Sequence, residues 1–136
     1  MQNIGEEMLL QILAPNTTMR GFWTPRADVY ETDRDLVVKF CLAGLETRSL
    51  DISLSPEGDA LVVKGIRSEY EDEFENRLRY HRLETSYGPF ERTVDLPENL
   101  SVDGDNISAV YKNGFLKIKL PKKGVKKPVV SEVGLV

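Results

Sequence analysis

Between residues 28 and 121 apolar and polar positions alternate with a period of two, in short runs broken by turn-forming residues, which is the signature of half-buried strands. Val29-Tyr30 is a short first strand. Leu36, Val38, Phe40 and Leu42 alternate with Val37, Lys39 and Cys41 up to Ala43-Gly44, and Leu50, Ile52 and Leu54 alternate with Asp51 and Ser53. A turn over residues 56–59 returns the chain into the more continuously apolar residues 60–66, predicting a hairpin. Residues 80–86 are strand-like. After Tyr87-Gly88-Pro89, Phe90, Val94 and Leu96 face one way and Glu91, Thr93 and Asp95 the other, until Pro97-Glu98-Asn99. The last two strands place Ile107, Ala109 and Tyr111 against Ser108 and Val110, then Leu116, Ile118 and Leu120 against Lys117 and Lys119. Asn113-Gly114 between them tolerates the positive φ that a tight hairpin needs, and Pro121 stops the ladder.

Several short strands without a convincing core helix predict an antiparallel β-sandwich over residues 26–121. Arg92 falls on an apolar phase, either as a snorkelling stem or as a paired arginine at an interface. The acidic stretch of residues 69–75 is too charged for a core strand and reads as an exposed loop.

Both ends differ in texture. In the arm, residues 1–25, Ile4, Met8, Leu9, Ile12 and Leu13 recur at helical spacing before Phe22-Trp23. In the tail, residues 122–136, a basic stretch precedes Val129, Val130, Val133, Leu135 and Val136, more aliphatic surface than an unpartnered tail keeps.

Composition narrows the function. A chain of 136 residues makes one domain with flanking arms, and its net charge of -4 argues against a nucleic-acid partner. The absence of a 20-residue apolar run or a signal-like start argues against a membrane partner and favours a cytoplasmic location. One cysteine and one histidine build neither a disulfide framework nor a structural zinc site. Cys41, between Phe40 and Leu42, reads as an inert packing thiol, and His81 as a strand residue without a nucleophile or carboxylate to work with. With no phosphate-cradling glycine loop and no spaced acidic ligands, the expectation is a non-enzyme without cofactor or metal.

Three segments together resemble the small heat-shock proteins: Ala109-x-x-x-Asn113-Gly114-x-Leu116, Tyr87-Gly88-Pro89-Phe90-Glu91-Arg92, and Leu96-Pro97-Glu98-Asn99. The resemblance covers roughly residues 26–121. It implies an all-β, immunoglobulin-like antiparallel β-sandwich (an α-crystallin domain) and ATP-independent holding of unfolding client proteins by a dynamic homo-oligomer. It further implies dimers formed by strand exchange, with residues 79–86 (Arg79, Tyr80, His81, Arg82, Leu83 and Glu84 foremost) pairing with a neighbour's Val29-Tyr30 edge. The tail motif is Val133-Gly134-Leu135, docking in a groove between Leu50, Ile52, Leu54 and Ile107, Ala109, Tyr111. It departs from the usual isoleucine pair, and Ala43 stands where bacterial relatives commonly have proline. Ile4, Met8, Leu9, Ile12, Leu13, Phe22 and Trp23 become candidate client-binding or subunit-contact residues of the arm. The rival from another class is a monomeric co-chaperone-like sandwich with one defined partner.

Overall fold

Seven strands form two sheets packed on a shared core, as seen in a computed structural model that describes residues 21–69 and 71–124. They are β1 (Ala27–Glu31), β2 (Asp35–Cys41), β3 (Asp51–Leu54), β4 (Ala60–Arg67), β5 (Gly88–Asp95), β6 (Ser108–Lys112) and β7 (Phe115–Pro121). One sheet has the order β1-β2-β7-β6 and the other β3-β4-β5, with every pairing antiparallel. The core is built from register: Leu36, Val38 and Phe40 of β2 stand opposite Leu120, Ile118 and Leu116 of β7, all essentially without exposure. They meet Leu61 and Val63 of β4 and Phe90 and Val94 of β5 in one cluster.

The β6–β7 turn has the geometry expected of Asn113-Gly114, with φ of 53° and 81° at its two central residues, both in the left-handed region a primed two-residue hairpin requires. Its Gly114 carbonyl accepts a 2.7 Å hydrogen bond from the Leu42 amide, which ties the hairpin tip to the end of β2. A second glycine is fixed by packing. A Cβ on Gly65 of β4 would lie 2.6 Å from Phe90 Cζ and 3.3 Å from Leu45 Cδ1. Gly65→Ala is therefore expected to lose about 1–3 kcal/mol by overpacking, read as a lowered melting temperature at fixed protein concentration.

Three expectations are corrected, and a fourth segment is located. Trp23 does not belong to an exposed arm: it is 4% exposed, its amide and carbonyl bond Pro89 O and Glu91 N across the free edge of β5, and Nε1 donates to Gly88 O at 3.1 Å. Large aromatic area beside a strand edge is worth more inside than outside. Cys41 is exposed at the end of β2, because it falls on the outward phase opposite Phe115. Within the acidic segment, α1 (Glu71–Glu75) is one short helical turn rather than irregular loop. Residues 80–86 join no ladder among the described residues, since a strand exists only where a neighbour completes its hydrogen bonds.

Arg92 follows the snorkelling reading. It lies opposite Val63 on the inward phase, and its guanidinium reaches the margin to donate to Pro25 O at 3.2 Å. Among the described residues no helix is long and apolar enough to cross a membrane.

Candidate interaction surfaces at the sandwich edges

The residues proposed for the groove share one geometric property: they are inward-facing apolar positions at the margin where the two sheets part. In β3, Ile52 and Leu54 stand opposite the buried Val63 and Leu61. In β6, Ala109 and Tyr111 stand opposite the buried Ile118 and Leu116. Leu50 and Ile107 are delivered to the same margin as the residues that end the 3-10 turns Thr47–Ser49 and Gly104–Asn106. Leu50, Ile52, Leu54, Ile107 and Tyr111 are half-buried against the core, whereas Ala109 is exposed although its phase points inward. The alternation of β6 alone did not reveal which phase faces the other sheet; the register does.

Both ends of this margin are closed by specific contacts. At one end a Cβ on Gly104 would lie 2.8 Å from Leu54 Cδ1, so glycine is what lets the turn before β6 approach β3. At the other, the Tyr111 hydroxyl donates to Leu42 O at 2.7 Å and accepts from the Leu45 amide at 3.4 Å. The row of β6 from Ile107 to Tyr111 is about 13 Å long at the usual rise of a strand. The chain leaves the sandwich near the Leu54 end, where Lys123 N bonds Ser101 O and Asp103 N bonds Pro121 O. Val133 and Leu135 lie outside the described residues, as do Ile4, Met8, Leu9, Ile12 and Leu13.

The second surface is the outer edge of β1, which pairs only with β2 among the described residues. Val29 and Tyr30 are 42% and 43% exposed there. An unpaired edge carrying large side chains is a template for another strand. Of the residues expected to supply that strand, Arg79, Tyr80, His81, Arg82 and Glu84 are exposed, whereas Leu83 is buried in its own chain, as is Ser86. Arg82 and Glu84 form only a 3.9 Å surface pair, worth little.

Two clusters had no local sequence signal. Arg67, at the end of β4, stacks over Trp23 at 4.4 Å and donates to Ala43 O at 2.9 Å and Ser86 O at 3.1 Å. Burial lowers its pKa from the ordinary value, but a guanidinium remains charged at any working pH. Arg67 thus pins the Ala43-Gly44 turn that lacks a proline. In the loop, Glu69 accepts from Arg77 at 2.8 Å and from the Tyr80 hydroxyl at 2.9 Å, and the Arg77 guanidinium both hydrogen-bonds Tyr80 and lies over its ring. Burial, and then the bond to Glu69, raise the Tyr80 pKa. These partners are 8 to 11 residues apart, beyond any periodic pattern.

A sequence model described as the Hsp20/alpha crystallin family matches residues 28–133. The chain is 36% identical over 124 residues to the 16.9 kDa class I heat shock protein 3 of Oryza sativa subsp. japonica, covering 89% of this chain and 80% of that one. It is 34% identical over 114 residues to heat shock protein 42 of Saccharomyces cerevisiae, covering 83% of this chain but only 30% of the yeast protein's length. Among solved structures, hspA from Xanthomonas axonopodis superposes with a TM-score of 0.62 at 31% identity, over 76% of this chain and 98% of that one.

Proposed function

Because the chain belongs to the Hsp20/alpha crystallin family of small heat-shock proteins, we propose that it is an ATP-independent holdase, a dynamic homo-oligomer that captures partly unfolded proteins and suppresses their aggregation. The observation that carries this reading is a sandwich that, among the described residues, leaves the outer edge of β1 without a partner strand and carries half-buried apolar side chains along β3 and β6. A monomer with both margins bare is poorly protected from association, so self-assembly is the economical way to cover them.

At the first margin, residues 79–86 of a second copy pair with β1. Exchange has to replace the burial that Leu83 and Ser86 already have in their own chain, and a symmetric dimer does so twice. At the second, Val133 and Leu135 dock in the opening. An extended segment sets residues i and i+2 on one face about 7 Å apart, matching the repeat from Ala109 to Tyr111. The nine residue steps from Gly124 to Val133 span up to about 30 Å, enough to reach another dimer. Two such anchors are individually modest, so subunits exchange, and the assembly stores apolar surface that loosening exposes. The arm residues Ile4 to Leu13 with the half-buried Phe22 supply client or subunit contacts, and the location is cytoplasmic.

The test pairs light scattering with a heated client in the absence of ATP. We expect a particle much heavier than the 15.4 kDa chain and suppressed client turbidity. A 15.4 kDa particle that leaves client aggregation unchanged would favour the monomeric single-partner module instead.

A further inference from the structure

The outer face of the four-stranded sheet is basic in a chain whose net charge is -4. Register places Lys39 of β2 directly opposite Lys117 of β7, while Lys112 of β6 stands opposite Phe115 and Lys119 of β7 opposite Val37. Like charges facing each other across a ladder repel. The carboxylate nearest in register is Asp28, opposite Lys39, yet no ion pair joins them; the Lys39 ammonium lies over the Phe115 ring at 4.5 Å instead. The ion pairs among the described residues leave Lys39, Lys112 and Lys117 without a carboxylate.

The complementary charge sits on the loop. The Glu69–Arg77–Tyr80 cluster pinches a neck, so α1 forms the tip beyond it, with Asp72, Glu73 and Glu75 exposed. Asp72 and Glu75, three residues apart, share one face of that turn.

We propose that the basic outer face of β2 and β7 receives the acidic loop tip of a second copy of this chain. The inference rests on the strand-exchange reading above. With residues 79–86 seated along a partner's β1, the neck at Tyr80 lies at that edge. Lys39 and Lys117 are then two and three strand spacings away, about 10 and 14 Å. A five-residue helical turn adds about 7 Å beyond the neck, and long lysine stems cover the remainder. The charges fix how far the exchanged loop lies across its neighbour, and they repel a neighbour's basic face from the same position.

Two full-length variants test this, Lys39→Glu/Lys117→Glu and Asp72→Lys/Glu75→Lys, studied alone and mixed in equal amounts by sedimentation over a dilution series. Each alone should self-associate about tenfold more weakly than the parent at low salt, with the difference fading near 1 M salt, where the screening length falls to about 3 Å. The mixture should recover the parental affinity, because each contact again pairs opposite charges. Parental association by either variant alone would overturn the proposal. So would a mixture that stays weak while a single chain carrying all four substitutions recovers, since that places the contact within one chain. If the parent dimerises through residues 79–86 but ignores these charges, only this inference fails; if the parent stays monomeric, the exchange reading fails with it.

Discussion

Alanine at both Val133 and Leu135 is expected to reduce the large assembly to dimers. The change removes five carbon atoms of apolar side chain per tail, at roughly 0.8 kcal/mol each, so each docking contact weakens by about 4 kcal/mol, close to a thousandfold. The opening itself gives a second route to the same outcome. Ala109 is exposed yet points inward between half-buried neighbours, so Ala109→Trp fills the space a tail would take without displacing a core residue. Both variants should sediment as dimers at concentrations where the parent is large, and Ala109→Trp should melt near the parental temperature. An unchanged size for both would remove this groove and this tail as the assembly contact. So would a size change in the tail variant with none in Ala109→Trp, which would point the tail elsewhere. A tail seated in its own subunit's opening predicts no change in size, a real alternative because the chain leaves the sandwich near the Leu54 end.

The parts of this molecule that were legible in the sequence are those written with a period of two or in a two-residue turn. The core pairs of β2 and β7 follow from alternation, and the Asn113-Gly114 hairpin from the φ values its residues tolerate. The candidate groove was legible as a set of positions, but its phase depended on pairing with β7, a long-range fact. Cys41 was misplaced because apolar neighbours in sequence lie on the opposite face of a strand; its cross-strand partner Phe115 is itself 42% exposed. The hub around Arg67 was not legible at all. Its partners Trp23, Ala43 and Ser86 come from three separated segments, and only the folded sandwich gathers them.

That hub explains how one fold can keep loose margins on a firm frame. Arg67 ties the end of β4 to the turn after β2 and to the end of the loop, while Trp23 closes the edge of β5. Of the four strands at sheet edges, β5 is thus occupied by its own chain, while among the described residues β1, β3 and β6 have no strand on their outer side. Assembly would nevertheless draw on this frame at two points, because Ser86 of the exchanged segment is an acceptor of Arg67 and Tyr111 of the groove bonds Leu42 and Leu45.

Trp23→Ala should accordingly be the most damaging single substitution among the described residues for stability. Truncating a buried tryptophan costs about 3–5 kcal/mol, against about 5–15 kcal/mol for the folding of a whole domain. Here Gly88 O also loses its indole donor, Arg67 loses the ring beneath its guanidinium, and Phe90 loses a ring 5.3 Å away, centre to centre. Urea unfolding at fixed subunit concentration should show a large fall in midpoint, since association also contributes to apparent stability. Trp23→Phe keeps an aromatic body but not the donor, and should recover more than half of the loss. If Trp23 instead served as exposed client-binding surface, Trp23→Ala would impair client protection at an unchanged midpoint. The 4% exposure of Trp23 sets the expectation the other way: the unfolding midpoint moves first, and client protection falls only as folded protein is lost.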